Sequence, residues 1–374
     1  MKKLLMMIII ACLLFCSCGS TLSPEDLTEP VRLSSSYENL NLNGEFYCDA
    51  IDGSVGALLV LKFIDFDTMQ ISPVCSKPNC AHNNKNSCTA FGMQNHPTII
   101  GNNLFYFQYV YEYDKEGNTT EYVNVWKADL DGSNRVKIDT LDGIAIEETD
   151  YAAVIGSKIF FVGMEKESKA LTDMSMGLDK YYICSYDCAK EKFVNHGYLC
   201  EGYNGGARVY GRYNGGLYIG ASYEAEQYDY KKGINGYWEH YEKNYRSNYF
   251  RFDLETGEIT KSDMPSLDKG GFVTDELYGY RNENGRICVI DADGNSRLYE
   301  NFNYIGGYPI NGHIFNTDNN TALELASGAV KKLKSSVVPQ FYTVTAYYNG
   351  SYILVNSINP RSYISMSAEK LFVE

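Results

Sequence analysis

Short aromatic bursts, all but one entered through a glycine- or asparagine-containing turn, recur along the chain and are followed by alternating apolar and polar residues. Seven stand out: NLNGEFYC around Phe46, IGNNLFYF around Phe105, IGSKIFFV around Phe160, YNGGLYIG around Tyr218, VTDELYGY around Tyr278, PINGHIFN around Phe315 and YYNGSYIL around Tyr352. Alternation with a period of two predicts strands buried on one face. Downstream of each burst comes a second alternating element that ends in an acidic residue and a turn: FIDFDT to Thr68, WKADLDG to Gly132, CSYDCAKEK to Lys192, FRFDLETG to Gly257 and CVIDADG to Gly294. The sixth, ALELASG to Gly328, carries Glu324 in place of the aspartate, and the seventh, SYISMSAEK, carries Ser367.

Each module therefore reads as strand, tight turn, strand, longer connection, strand, turn, strand, which is the unit of a propeller blade. No extended helical periodicity interrupts the series. The spacing of the bursts, roughly 55 to 60 residues early and under 40 late, suits blade-sized repeats with insertions in the early modules. The expected fold is all-β, a β-propeller of seven four-stranded blades. A count of six or eight, or a β-sandwich or pair of β-domains, are the alternatives. Closure hides exposed sheet edges, and the segment from Tyr363 to Val373 is the candidate closing strand.

Composition supports strands over helices, with 33 Tyr and 17 Phe in 374 residues. The start is different. Lys2 and Lys3 precede an apolar run from Leu4 to Phe15, too short to span a bilayer, which needs about 20 residues. Phe15-Cys16-Ser17-Cys18-Gly19 follows and resembles the lipobox of bacterial lipoproteins, with Cys18 as the lipidated residue because small Ser17 precedes it. Phe15 and Cys16 depart from the preferred residues of that motif, and an ordinary secretory signal is the plainer alternative. The expected organisation is a signal peptide over residues 1–17, a Ser-, Pro- and Glu-rich lipidated tether over 18–41 and the propeller over 42–374. The protein would then be exported and anchored on the outer face of the cytoplasmic membrane.

The net charge of −14 becomes about −16 once Lys2 and Lys3 leave with the signal. Such a surface repels phosphate backbones, which sets nucleic acid aside, and it leaves membrane attachment to acyl chains such as palmitate.

The densest chemistry lies in VCSKPNCAHNNKNSCTA, where Cys75, Cys80, His82 and Cys88 fall within fourteen residues. Three thiolates and an imidazole make a tetrahedral set for structural zinc. Disulfides are the equal alternative in an exported chain, with Cys48 able to take a fourth place. A c-type haem does not fit, because its motif needs Cys and His side by side. Cys184 and Cys288 occupy positions held by Trp126 and Phe250 in neighbouring modules and read as core residues, while Cys188 and Cys200 could pair. The runs Asp129 to Gly132 and Asp291 to Gly294 lack the remaining ligands of a calcium loop and read as hairpin turns.

No nucleophile elbow, HExxH, P-loop or paired histidine motif is present, so no catalytic residue is assigned. His96, His196, His240 and His313 are scattered beside turn residues. The stretch from Tyr203 to Phe252 carries Tyr228, Tyr230, Tyr237, Trp238 and Tyr241 in an insertion between strands. These rings either pack the insertion against the fold or stack on a ligand.

The lipobox, the tyrosine-rich repeat and the loop carrying Cys75, Pro78, Cys80, His82 and Cys88 together resemble the uncharacterised propeller-type, WD40- or TolB-like lipoproteins of Gram-positive bacteria. A similar Cys-Ser-x-Pro-x-Cys-x-His loop follows the first blade there. The resemblance implies the fold and the loop, and no activity. The expected role is a binding module at the cell surface for a glycan, a peptide or an envelope protein. A hydrolase or lyase acting on extracellular polysaccharide is the alternative.

Overall fold

The computed structural model describes residues 22, 29, 31–33, 44–50, 59–82, 88–91, 97–113, 119–146, 152–166, 177–229, 236–268, 270–304, 306–334, 342–356 and 362–373. The signal peptide, Cys18 and Tyr230 lie outside them.

The chain is all-β, laid down as successive antiparallel meanders. A two-residue strand β1 (Arg32–Leu33) precedes module 1, which is β2 (Gly44–Ala50), β3 (Leu59–Asp65) and β4 (Gln70–Pro73). Module 2 is β5 (Thr98–Ile100), β6 (Asn103–Tyr113), β7 (Thr119–Asp129) and β8 (Val136–Asp142). A short β9 (Ala145–Ile146) pairs with β11 (Lys158–Lys166) of module 3, which also holds β10 (Ala153–Ile155) and β12 (Leu178–Asp187). The 22-residue β13 (Lys192–Tyr213) then serves two modules, joining them in one continuous nine-stranded sheet. Its first half pairs with β12 and its second with β14 (Gly216–Glu224), the change falling around Tyr203, which faces Leu178 on one side and Glu224 on the other. Module 4 continues through helix α1 (Tyr237–Asn244), β15 (Tyr245–Asp253) and β16 (Ile259–Lys261). Module 5 is β17 (Phe272–Val273), β18 (Leu277–Arg281), β19 (Arg286–Asp291) and β20 (Ser296–Asn303). Module 6 is β21 (His313–Asn316), β22 (Thr321–Glu324) and β23 (Val330–Lys332); module 7 is β24 (Tyr342–Tyr348), β25 (Ser351–Asn356) and β26 (Ser362–Ser367), ending in a single turn α2 (Ala368–Leu371).

Every aromatic burst is a strand, and its buried rings pack between neighbouring modules. Phe46 and Leu61 meet Leu104 and Tyr106 across modules 1 and 2. Phe105 and Val123 meet Val154 and Phe161 across 2 and 3. Phe160 and Ile183 meet Val209 and Ile219 across 3 and 4. Tyr210 and Tyr218 meet Val273 and Tyr278 across 4 and 5. Phe272 and Ile287 meet Ile314 and Leu323 across 5 and 6, and Ala322 and Leu333 meet Tyr352 and Leu354 across 6 and 7. A further cluster joins Ile353, Val355 and Tyr363 of module 7 to Tyr47, Ile64 and Phe66 of module 1. Burying one such large apolar side chain contributes about 1.5–3 kcal/mol, so each of these joints is a major source of stability.

The acidic residue that ends the third strand does the same job in four modules. Asp65 Oδ1 accepts the amides of Asp67 and Thr68, Asp187 Oδ1 those of Ala189 and Lys190, Asp253 Oδ1 those of Glu255 and Thr256, and Asp291 Oδ1 those of Asp293 and Asn295. These are side-chain-closed turns, which fits the hairpin reading of the Asp-x-Asp-Gly runs.

Three expectations change. Modules 1, 6 and 7 have three-stranded sheets among the described residues, where four strands were expected. In module 1 the edge of β3 beyond β4 is taken by the returning cysteine loop, through a bridge between Val60 and Phe91. In module 6 the preceding strand shrinks to the bridge between Ile310 and His313. Second, the C-terminal segment is not a strand shared with module 1: β26 pairs with β25, and Phe372 bridges Leu333 of module 6, flanked by hydrogen bonds from Lys334 N to Leu371 O and from Val373 N to Lys332 O, both 2.9 Å. Third, the insertion of module 4 contains the eight-residue α1, whose mixed aromatic and charged sequence hides its period.

Candidate metal centre

The cysteine loop leaves β4 at Val74 and returns at Cys88–Phe91. Its two ends are stitched to one strand: Val74 N donates to Leu61 O at 2.9 Å and Leu61 N donates to Ala90 O at 2.8 Å. Arg135 of module 2 clamps the return, donating to Phe91 O at 2.8 Å and to Thr89 O. Between these ties Asn79 and His82 both take left-handed backbone, φ 58° and 51°, and bend the loop back on itself. Non-glycine residues hold that conformation only where their surroundings enforce it.

The outcome is convergence. The ligand atoms of Cys75, Cys80, His82 and Cys88 all lie within 4.8 Å of one another, and His82 Nδ1 is 3.3 Å from Cys88 Sγ. Zinc–sulfur and zinc–nitrogen bonds of about 2.3 and 2.1 Å give a tetrahedron with edges of roughly 3.6–3.8 Å, so a small contraction seats an ion. Cys88 is buried against Val60, Ala90 and Phe91, and Cys75 and Cys80 pack on the same cluster. None of the eight described cysteines forms a disulfide. Cys48, the expected fourth partner in a disulfide scheme, lies in β2 opposite Leu61 and outside the ligand group.

The thiols are not equivalent. Burial pushes the Cys88 thiol up to about 11, and the neighbouring sulfurs of Cys80 and Cys75 push the same way. Burial also opposes ionisation of Cys75, but hydrogen bonds from the Thr89 hydroxyl, the amides of Lys77 and Thr89 and the Cys88 thiol outweigh it and bring Cys75 down to about 6. Amide and hydroxyl donors aimed at a sulfur are the outer-shell support that metal-bound thiolates require. With three sulfurs and one nitrogen coordinated, a bound ion has no open position for water, so the centre can brace the loop and cannot activate a nucleophile.

Beside the centre, between modules 1 and 2, lies a cleft of about 470 Å³ lined by Phe46, Phe63, Asp65, Cys75, Ser76 and Asp131. Hydrogen bonds from Ser133 and Ser76 hold the Asp131 carboxyl below the usual range.

No protein-family model matches the chain, and no curated protein matches it. Among solved structures it is similar to an oligogalacturonate lyase in complex with manganese, at 12% identity and a TM-score of 0.45 over 94% of this chain and 95% of that one. It is also similar to TolB from Acinetobacter baumannii, at 10% identity and a TM-score of 0.32 over 98% of this chain and 68% of that one. The β-propeller domain of the Trilobed protease from Pyrococcus furiosus matches at 9% identity and a TM-score of 0.38 over 88% of this chain and 87% of that one. Similarity at this level bears on neither ligand nor activity.

The second sequence candidate, the aromatic insertion, forms a compact layer built on α1. Tyr228 is buried and meets Tyr237 and His240 with ring centroids 5.3 and 5.2 Å away. Tyr237 and Tyr241 flank Trp238 at 5.4 and 6.1 Å, and Trp238 itself is 68% exposed. Beneath them lies a group that sequence alone did not single out. Glu224, 1% exposed, accepts hydrogen bonds from Asn204 Nδ2 at 2.7 Å and Tyr237 Oη at 3.0 Å, and its other oxygen is 3.6 Å from His240 Nε2. Its signal was its place as the last residue of a strand in a burst otherwise apolar. Of the five candidate aromatics, then, Tyr228 is a packing residue, Tyr237 and Tyr241 are half-buried supports, Trp238 is the exposed face, and Tyr230 lies outside the described residues.

His96 lies outside the described residues, and His196 and His313 serve packing. His313 is 8% exposed between Tyr352 and Phe372, and His196 lies within β13, its ring 5.7 Å from Phe160 and 4.9 Å from Phe252. Cys184 and Cys288 are buried, as their positions in the repeat implied.

Proposed function

We propose that this protein is a lipid-anchored binding module, a single β-propeller of seven blades that stands outside the cytoplasmic membrane on Cys18 and recognises a glycan through the Trp238 face. The closing cluster between modules 7 and 1 supports the ring, and the lipobox-like start supports the anchor. Zinc at Cys75, Cys80, His82 and Cys88 braces the joint between the first two blades in this reading.

The observation that carries the binding role is Trp238. A tryptophan 68% exposed on a helix, flanked by Tyr241 and by Tyr237, which is itself held by buried Glu224, offers a rigid apolar face at little entropic cost. Sugar rings present C–H faces that such a surface can cover. Glu224 has too little exposure to reach a substrate, so it positions the layer, and this favours binding over polysaccharide cleavage.

The test is a screen of envelope and extracellular oligosaccharides against the soluble chain from Gly19, followed by titration of the best ligand. Trp238→Ala is expected to weaken binding by about five- to 150-fold, the 1–3 kcal/mol typical of a central aromatic, with the melting temperature unchanged. Equal affinity in the variant, or shortened sugar products appearing during the assay, overturns the reading.

A further inference from the structure

The stretch expected to be a loose tether is partly built into the fold. Leu22 is 6% exposed and belongs to the cluster between modules 3 and 4, and Val31 packs against the same cluster. Arg32 and Leu33 form β1 on the free edge of module 3, opposite Val154 and Ala153 of β10. A charged clamp holds the backbone between these points. Arg212, at the end of β13 and 8% exposed, donates from Nε to Asp275 Oδ1 at 2.8 Å and from Nη2 to Asp275 Oδ2 at 3.0 Å. The same Nη2 donates to Glu29 O at 2.8 Å, and Val31 N donates to Asp275 Oδ2 at 3.4 Å. Thus a bidentate pair joining modules 4 and 5 also grips the main chain of the leader, while β1 completes an edge of module 3. Charge-assisted and bidentate contacts of this kind are the strong ones, and edge pairing is sequence-tolerant.

We infer that the leader is an intramolecular strap docked across modules 3, 4 and 5 at Leu22, Glu29 and Val31–Leu33, which leaves the lipid-bearing cysteine on a leash of only Gly19, Ser20 and Thr21 before its first docking point. Four residue steps from Cys18 to Leu22 reach at most about 14 Å. The body therefore rides directly against the membrane surface, where its net charge of about −16 without Lys2 and Lys3 would not take it unaided. This consequence rests on the lipid anchor proposed above; the docking of the strap does not.

Two insertions of the same 20-residue Gly/Ser linker separate the cases in the lipidated full-length chain on liposomes. One goes between Thr21 and Leu22, the other between Leu33 and Ser34. Energy transfer from Trp126 and Trp238 to a dansyl-labelled lipid reads the height of the body. The first insertion adds about 25 Å of reach and is expected to cut transfer by about half or more, whereas the second leaves it at the wild-type level because the strap stays docked. Equal losses from both insertions overturn the strap. Failure of the wild-type chain to partition with liposomes overturns the anchor and with it the membrane consequence. The strap is then read on the soluble chain from Gly19, where trypsin should cut after Arg32 at least about tenfold more slowly than in a peptide of residues 19–40, with Asp275→Ala restoring the fast rate. Cutting as fast in the wild-type chain as in the peptide overturns the strap.

Discussion

Tyr47 in the first module and Tyr363 in the last lie with ring centroids 5.9 Å apart, tilted by 43°, in the cluster where the two ends of the repeat meet. Around them Phe66 meets Tyr348 at 5.9 Å, and Asp67 accepts hydrogen bonds from Tyr348 Oη at 3.2 Å and Asn349 Nδ2 at 3.3 Å. The last module thus meets the first through side chains, with no ladder shared between β26 and β2. Tyr47→Ala should cost about 3–5 kcal/mol, the usual loss for a buried ring, and a double-mutant cycle with Tyr363→Ala should return a coupling of about 0.5–1.5 kcal/mol. Urea unfolding of the four proteins measures both. Additive losses would mean that the first and last modules do not touch in solution.

The cysteine centre predicts a stoichiometric ion. Native mass spectrometry of the soluble chain should show one zinc-sized adduct that disappears in His82→Ala and in Cys88→Ser and persists in Cys48→Ser. Chelation should lower the melting temperature, since an ion that binds only the folded state stabilises it in proportion to the logarithm of its excess over Kd. A mass short by pairs of hydrogens with no adduct would assign the same residues to disulfides.

His196 makes stability depend on pH in a defined window. Its Nε2 lies 2.8 Å from Ser185 Oγ, and burial, assisted by Lys158, lowers its pKa to about 4 from an ordinary 6.5. Between these values the unfolded chain takes up a proton that the folded chain refuses, so stability is fully present above pH 6.5 and falls as pH drops towards 4. The shift corresponds to about 3 kcal/mol. His196→Gln should flatten this part of the profile when urea midpoints are compared from pH 7 to pH 4; an unchanged slope would place the pH dependence elsewhere.

The strands were legible because apolar alternation is set by which face of each sheet is buried, and Phe105, Phe160, Tyr218 and Tyr278 all lie at interfaces between modules. The acidic turns were legible because one aspartate position does the same work in several modules. The convergence of Cys75, Cys80, His82 and Cys88 could be suspected from spacing, but their closeness depends on Arg135 of the next module and on the left-handed backbone at Asn79 and His82, which no local pattern encodes. The strap was hidden for a related reason. Its composition is that of a linker, and its docking depends on Arg212 and Asp275, more than 180 residues further along the chain. The C-terminal contact follows the same rule, since Leu333 of module 6 is bridged by Phe372 from the far end of the chain.

Gly211 and Gly215 test how closely modules 4 and 5 approach. Both have positive φ, +145° and +72°, so alanine is strained at either position. Their surroundings differ. A Cβ at Gly215 meets nothing within 4 Å, whereas at Gly211 it would lie 2.2 Å from Val273 O, main chain of β17 that cannot step aside without opening the joint. Gly215→Ala should therefore cost about 1 kcal/mol and Gly211→Ala about 3 kcal/mol or more. The second variant should also speed trypsin cleavage after Arg32, because Arg212 and Asp275 grip the leader from the two sides of that joint. Equal costs in urea unfolding would show that β13 and β17 stand further apart than the 2.2 Å contact requires.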